Sequence, residues 1–137
     1  MPRATGAKRA RKRPLSRKRV LDAAVALADD AGIDALSMRR LARELGVEAM
    51  SLYNHVANKD EILDGIVEVI AEEAELPPAG TEWKVAIRRS AISTRDMFVR
   101  HPWAVGLWMS RRGGGSARLR RGDWLLRTCL GCSAPPR

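Results

Sequence analysis

Apolar side chains recur at helical spacing along this chain, and no segment alternates with period two. After Ser16, which is suited to N-cap a helix, one stripe occupies positions i, i+4, i+7, i+8 and i+11: Val20, Ala24, Leu27, Ala28 and Ala31. This spacing places the side chains on one face of a helix, and Gly32 is placed to end it as a left-handed C-cap. Because comparable stripes follow further along, the sequence predicts an all-α protein.

Two of the predicted helices are short and meet at Gly46. Ser37 is suited to cap the second helix, which Gly46 would end after eight residues. A third helix is expected over about residues 48–55. Two short helices joined at a glycine, behind a longer supporting helix, are typical of a helix-turn-helix, whose second helix enters the major groove. The sequence therefore predicts an N-terminal three-helix unit with its helix-turn-helix over residues 37–56.

The predicted recognition helix separates into two faces when its residues are placed at about 100° per residue. Leu52, Val56 and Ala49 cluster on the side that would be buried. The other side carries hydrogen-bonding and apolar groups and no carboxylate: Met50, Ser51, Tyr53, Asn54 and His55. Such groups suit base edges and phosphates. The alternative is a plain helical bundle with a polar surface helix.

The net charge of +9 is unevenly distributed. Residues 1–19 hold nine basic residues and no acidic one, residues 20–110 hold nine basic and fifteen acidic, and residues 111–137 hold seven basic and one acidic. A basic arm over residues 1–15 beside a globular unit is a common footprint of nucleic-acid binding. A solvated tail or attraction to a membrane surface would also account for it.

Further helices are expected beyond the helix-turn-helix. Asn58 opens a connecting helix with Asn-x-x-Glu, a variant of the capping box. Its apolar stripe stops at the prolines of positions 77 and 78. Helical segments then follow over residues 81–100, 102–109 and 116–130, the last of them interrupted at Gly122.

The sequence does not indicate an enzyme, a metal site or a cofactor. The chain has two histidines and no pairing of a nucleophile with a base. Cys129 and Cys132 form a lone CxxC, whereas a zinc site needs two further ligands. No apolar run reaches the roughly 18 residues of a transmembrane helix, and no apolar segment follows the basic N-terminus as in a secretory signal. A cytoplasmic protein is the expectation.

Residues 31–66, AGIDALSMRRLARELGVEAMSLYNHVANKDEILDGI, resemble the DNA-binding domain of TetR-family regulators, the tetracycline-repressor type in particular. The most specific part is the run LGVEAMSLYNHVANK, residues 45–59, together with Ile62-Leu63-Asp64. The resemblance extends over residues 16–74. It implies a DNA-binding regulator whose partner is a double-stranded operator.

The resemblance also implies roles for individual residues. Arg39 matches an arginine that contacts a base, and an arginine can reach guanine O6 and N7 with two hydrogen bonds. Ala49, Met50 and Ser51 occupy the opening of the recognition helix, where the tetracycline repressor type reads bases. The remaining matches, at Tyr53, His55 and Lys59, are to positions that contact phosphates.

The chain departs from the tetracycline repressor pattern at the reading positions themselves. That pattern has Gln-Pro-Thr where this chain has Ala49-Met50-Ser51, and Trp where it has Asn54. Ala49 cannot replace the hydrogen bonds of an amide, so a different operator sequence is expected, and Asn54 could pair with adenine N6 and N7. Glu48 has two readings: a favourable charge at the helix N-terminus, or a contact with cytosine N4.

Residues 83–128 resemble the opening helices of the ligand-binding and dimerisation domain of the same subgroup, and the resemblance ends after Thr128. We therefore expect an incomplete helical C-terminal domain and a chain truncated or frame-shifted near its end. The expected division is a disordered basic arm (1–15), the helix-turn-helix domain (16–57), a connecting helix (58–76), the partial effector and dimerisation domain (77–130) and a disordered tail (131–137).

The sequence thus predicts a one-component transcriptional regulator, a repressor released from its operator by an unidentified small molecule. A homodimer is what the family resemblance implies, although the length of the chain argues against it. The rival interpretation is a fragment that binds nucleic acid without specificity through its two basic ends.

Overall fold

A computed structural model describes residues 14–111 and 115–131 of the chain. Over these residues it contains helices, turns and loops but no strand, which confirms the all-α prediction. The α-helices are α1 (Arg17–Ala31), α2 (Met38–Leu45), α3 (Ala49–Leu52), α4 (Lys59–Ala71), α5 (Trp83–Arg100), α6 (Ala104–Ser110) and α7 (Ser116–Gly131). The predicted arm up to residue 13 and the predicted tail from residue 132, with Cys132, lie outside the described residues.

Side-chain caps begin three of these helices where the sequence predicted them. The hydroxyl of Ser16 accepts a hydrogen bond from the backbone N–H of Arg19 at 3.2 Å, and that of Ser37 accepts one from Arg40 at 3.2 Å. The amide oxygen of Asn58 accepts from the N–H of Glu61 at 2.9 Å. Each bond satisfies an N–H that has no partner within its own helix.

Two details of the helical prediction are wrong. Gly32 ends α1 with a positive φ of 82°, which favours glycine, but its ψ of 160° lies outside the left-handed helical region, and a short 3-10 turn over Ile33–Ala35 follows it. α7 runs without interruption through Gly122. One glycine costs a helix only about 1 kcal/mol relative to alanine, and anchors on both sides of it, Ala117 and Trp124, hold α7 against the rest of the protein.

The core lies where α1 and α4 cross beneath the helix-turn-helix. Gly65 permits the close approach of these two helices, because a Cβ atom there would lie 2.6 Å from the Leu21 side chain. Met97 of α5 and Ala104 of α6 belong to the same buried cluster. The first four helices therefore share one core with α5 and α6. Among the described residues, no helix is long and apolar enough to span a membrane.

Candidate nucleic-acid interface

Gly46 makes the turn of the helix-turn-helix. Its φ of 64° and ψ of 38° are left-handed helical, a conformation that favours glycine. The N–H of Gly46 donates to the carbonyl of Arg43 at 3.1 Å, and that of Val47 donates to the carbonyl of Ala42 at 3.0 Å. These two bonds form a Schellman motif, which satisfies the last carbonyls of α2 and directs the chain into α3.

α3 is held in place by its inner face. Leu52 is fully buried and Val56 is 2% exposed, and both belong to the core. α3 has only four residues rather than the predicted eight, but Leu52 continues the turn by accepting hydrogen bonds from the N–H groups of His55 at 2.9 Å and Val56 at 3.0 Å. The segment after α3 therefore remains compact up to Val56.

The outer face of the α3 segment carries the predicted reading residues. Met50 is 76% exposed and Tyr53 is 49% exposed. Asn54 is also exposed, whereas Ser51 and His55 are partly buried at the flanks of this face. Ala49, predicted to read bases, is partly buried against the core. Its methyl group thus contributes less to the outer surface than Met50 does.

The two predicted contact residues outside α3 are also at the surface. Arg39 is exposed on α2, which packs against α3, and Lys59 is the exposed first residue of α4. The side chains of Arg39, Tyr53, Asn54 and Lys59 form no hydrogen bond or ion pair with any residue that the structure describes. Their polar groups are therefore available to a partner.

Glu48 occupies the N-cap position of α3, yet its side chain makes no capping hydrogen bond. Its exposed carboxylate is left at the opening of the segment that carries Met50. The charge still favours the positive end of a helix, and the free oxygens can also accept a hydrogen bond from a base.

Glu61 locks the junction between the α3 segment and α4. Its carboxylate accepts a hydrogen bond from the N–H of Ala57 at 2.6 Å and forms an ion pair with Arg17 of α1. The Ala57 N–H, and then the Arg17 guanidinium, lower the pKa of Glu61 below its usual value. The capping pattern Asn58-x-x-Glu61 predicted part of this arrangement, but Arg17 is 44 residues away in sequence.

Replacing Glu61 with glutamine is expected to destabilise the protein at neutral pH and much less in acid. A group with a lowered pKa in the folded state stabilises it above the unfolded-state pKa, and this contribution is lost as the pH falls through the folded-state pKa. The urea midpoints of the parent chain and E61Q should therefore differ near pH 7 and converge as the pH falls below the range in which glutamate ordinarily titrates. E44Q, which alters an exposed carboxylate of α2, is the control. A constant difference at all pH values would contradict this prediction.

A second clamp, which the sequence did not predict, ties the end of α6 to the start of α4. Arg111 donates to the carboxylates of Asp60 at 2.7 Å and Asp64 at 2.6 Å, and to the Asp60 carbonyl at 3.1 Å. The hydrogen bond to Asp64 contributes most to the raised pKa of Arg111. The clamp thus ties the start of α4, beginning at the residue after Lys59, to the end of α6.

The metal and cysteine expectations can be compared with the described residues. Within residues 14–111 and 115–131, no three His, Cys, Asp or Glu side chains are grouped to hold a metal ion. Cys129 is an exposed free thiol on α7. His55 lies on the outer flank of the α3 segment, in a position to donate or accept a hydrogen bond.

The glycine turn, the buried inner face of the α3 segment and its unpartnered outer face define a helix-turn-helix protein. The family model described as "Bacterial regulatory proteins, tetR family" matches residues 20–66. The chain belongs to the TetR family. Its sequence is 42% identical over 90 residues to the tetracycline repressor protein class D of Escherichia coli, a similarity that spans 64% of this chain and 41% of the repressor.

Solved structures show the same relationship in three dimensions. ActR of Streptomyces coelicolor in complex with actinorhodin matches with a TM-score of 0.80 and 32% identity, over 90% of this chain and 58% of ActR. BioQ in complex with its natural double-stranded DNA operator matches with a TM-score of 0.75 and 30% identity, over 89% of this chain and 74% of BioQ. The chain spans only 37% to 41% of the length of the first curated relatives.

Proposed function

We propose that this protein is a sequence-specific DNA-binding transcriptional regulator that acts as a ligand-responsive repressor in the cytoplasm. The observation that carries the proposal is the outer face of the α3 segment, which is rigidly backed by Leu52 and Val56 and leaves its polar groups unpartnered. The relative BioQ was solved with its double-stranded DNA operator, which supports DNA binding as the function of this chain.

The chemistry of this face suggests how an operator would be read. Met50 is largely exposed and has no polar atom besides its sulfur, so it suits the methyl group of thymine. Asn54 can accept and donate toward adenine N7 and N6, and Arg39 can donate twice to guanine. Tyr53, His55 and Lys59 flank these residues and would contact phosphates, which fixes the register of the reader on the duplex.

The later helices suggest the regulatory half of the function. α5 and α7 expose large apolar side chains such as Ile92 (50%), Val99 (64%) and Leu126 (61%). Large apolar side chains exposed to water commonly mark a surface that binds a partner or a ligand. By analogy with the relative solved with actinorhodin, a small-molecule effector is proposed here, together with a homodimer that places two readers on two half-sites.

Selection of binding sites from random duplex DNA tests the proposal. A two-fold symmetric site should emerge, and at fixed salt it should compete at least about 10³-fold better than random DNA. The rival function, binding without specificity through the basic ends, predicts equal affinity for both DNAs and a steep salt dependence. Equal affinity would overturn the proposed function.

A further inference from the structure

His101 is buried between two carboxylates that belong to different parts of the fold. It is the C-cap residue of α5 and is 7% exposed. Its Nδ1 lies 2.7 Å from Oδ1 of Asp29, near the end of α1, and its Nε2 lies 3.2 Å from Oε2 of Glu73, just after α4. One imidazole ring thus bridges α1, the end of α4 and the α5–α6 junction.

Two further groups complete this cluster. The indole N–H of Trp103 donates to the same oxygen of Asp29 at 2.6 Å, and its ring meets His101 edge to face. Arg100 donates to Oε2 of Glu73 at 2.9 Å. Asp29, Glu73 and Arg100 are therefore the charged groups that face His101 from the elements packed around it.

The two ring contacts cannot both be hydrogen bonds when the imidazole is neutral. A neutral imidazole has one N–H, and a carboxylate can only accept. Holding both Asp29 and Glu73 requires the imidazolium form, in which both ring nitrogens donate. After loss of the proton, one ring nitrogen presents a lone pair to a carboxylate, and that contact becomes repulsive.

We propose that His101 is a proton-dependent latch between the helix-turn-helix half of the protein and helices α5 and α6. In the imidazolium form it holds both α1 and the end of α4. On deprotonation it keeps the shorter contact to Asp29 and releases Glu73, which retains Arg100 as its partner. This goes beyond the proposed function and does not depend on it, because the latch acts on the fold whether or not the chain binds DNA.

Urea unfolding of the whole chain between about pH 6 and 8.5 tests the latch, because imidazole titrates in this range and ordinary carboxylates do not. The stabilising contribution of the latch is full on the acid side and lost as the pH rises, so the urea midpoint should fall across this range. The chain contains only one other histidine, His55. The variant H55Q is therefore the matched control and should keep the fall.

Two variants identify the group responsible. H101Q should remove the pH-dependent fall of the midpoint. E73Q should reduce it while leaving the histidine in place, because the amide of a glutamine can donate to the neutral ring nitrogen and Asp29 then remains as the one carboxylate on the ring. The E73Q variant carries the test if H101Q does not fold. Retention of the parent pH dependence in either folded variant, or a parent midpoint that does not fall, would overturn the proposal.

Discussion

Replacing Leu52 with alanine is expected to lower the free energy of unfolding by about 2–5 kcal/mol, the range for large-to-small changes at buried leucines. Leu52 is fully buried in the core and is the main anchor of the α3 segment. Its loss removes packing contacts and leaves a cavity between that segment and the helices beneath it. Such a change is a large share of the roughly 5–15 kcal/mol that stabilises a typical domain.

Chemical denaturation followed by circular dichroism measures this effect. L126A is the matched control, because Leu126 on α7 is 61% exposed and its truncation should change stability little. DNA binding by L52A should weaken on operator and random DNA alike, because the whole reading face loses its support. A change as small as that of L126A would show that the α3 segment is not anchored as described.

Replacing Arg39 with alanine is expected to weaken operator binding by roughly 1–3 kcal/mol per half-site, or about 5- to 150-fold. A dimer that contacts two half-sites would suffer the loss twice. R39A binds the operator more weakly because it loses two hydrogen bonds to one guanine. R39K should restore this binding only in part, because lysine carries a single point charge. Stability should change little, because Arg39 is exposed and its side chain has no partner among the described residues.

Titration of operator and random DNA at several salt concentrations separates base reading from phosphate contact. For R39A the loss should be confined to the operator, whereas K59A should weaken both DNAs and reduce the salt slope by about 0.9 per lost phosphate contact. R88A, which removes an exposed arginine from α5, is the charge-matched control and should leave both affinities unchanged. If R39A lost as much affinity for random DNA as for the operator, Arg39 would be shown to contact phosphates rather than a base.

The apolar stripes and the capping residues were sufficient to predict the helices of the reader and their order. Ser16, Ser37 and Asn58 act within three residues of themselves, and Gly46 acts on the turn that contains it. The outward side of the α3 segment followed from helical periodicity, because Leu52 and Val56 allow only one face to be buried. The roles assigned to individual reading residues remain predictions.

Some predictions based on local helix propensity were wrong because tertiary packing had the larger effect. A glycine in the middle of α7 suggested a break, but packing on both sides of Gly122 outweighs its small intrinsic cost. The α3 helix is half its expected length because its last turn is shaped by hydrogen bonds to the Leu52 carbonyl and by the burial of Val56. Intrinsic helix propensity includes neither of these tertiary effects.

The sequence by itself determined the all-α class, the helix-turn-helix and the side of it that faces outward, since these depend on side chains a few positions apart. Only the tertiary structure decided what holds that reader in place. Glu61 meets Arg17 across 44 residues, Asp60 meets Arg111 across 51, and Asp29 meets His101 across 72. No periodicity or capping pattern pairs such distant charges, because the first pair forms only when α1 and α4 cross, and the other two form only when the later helices pack against α1 and α4.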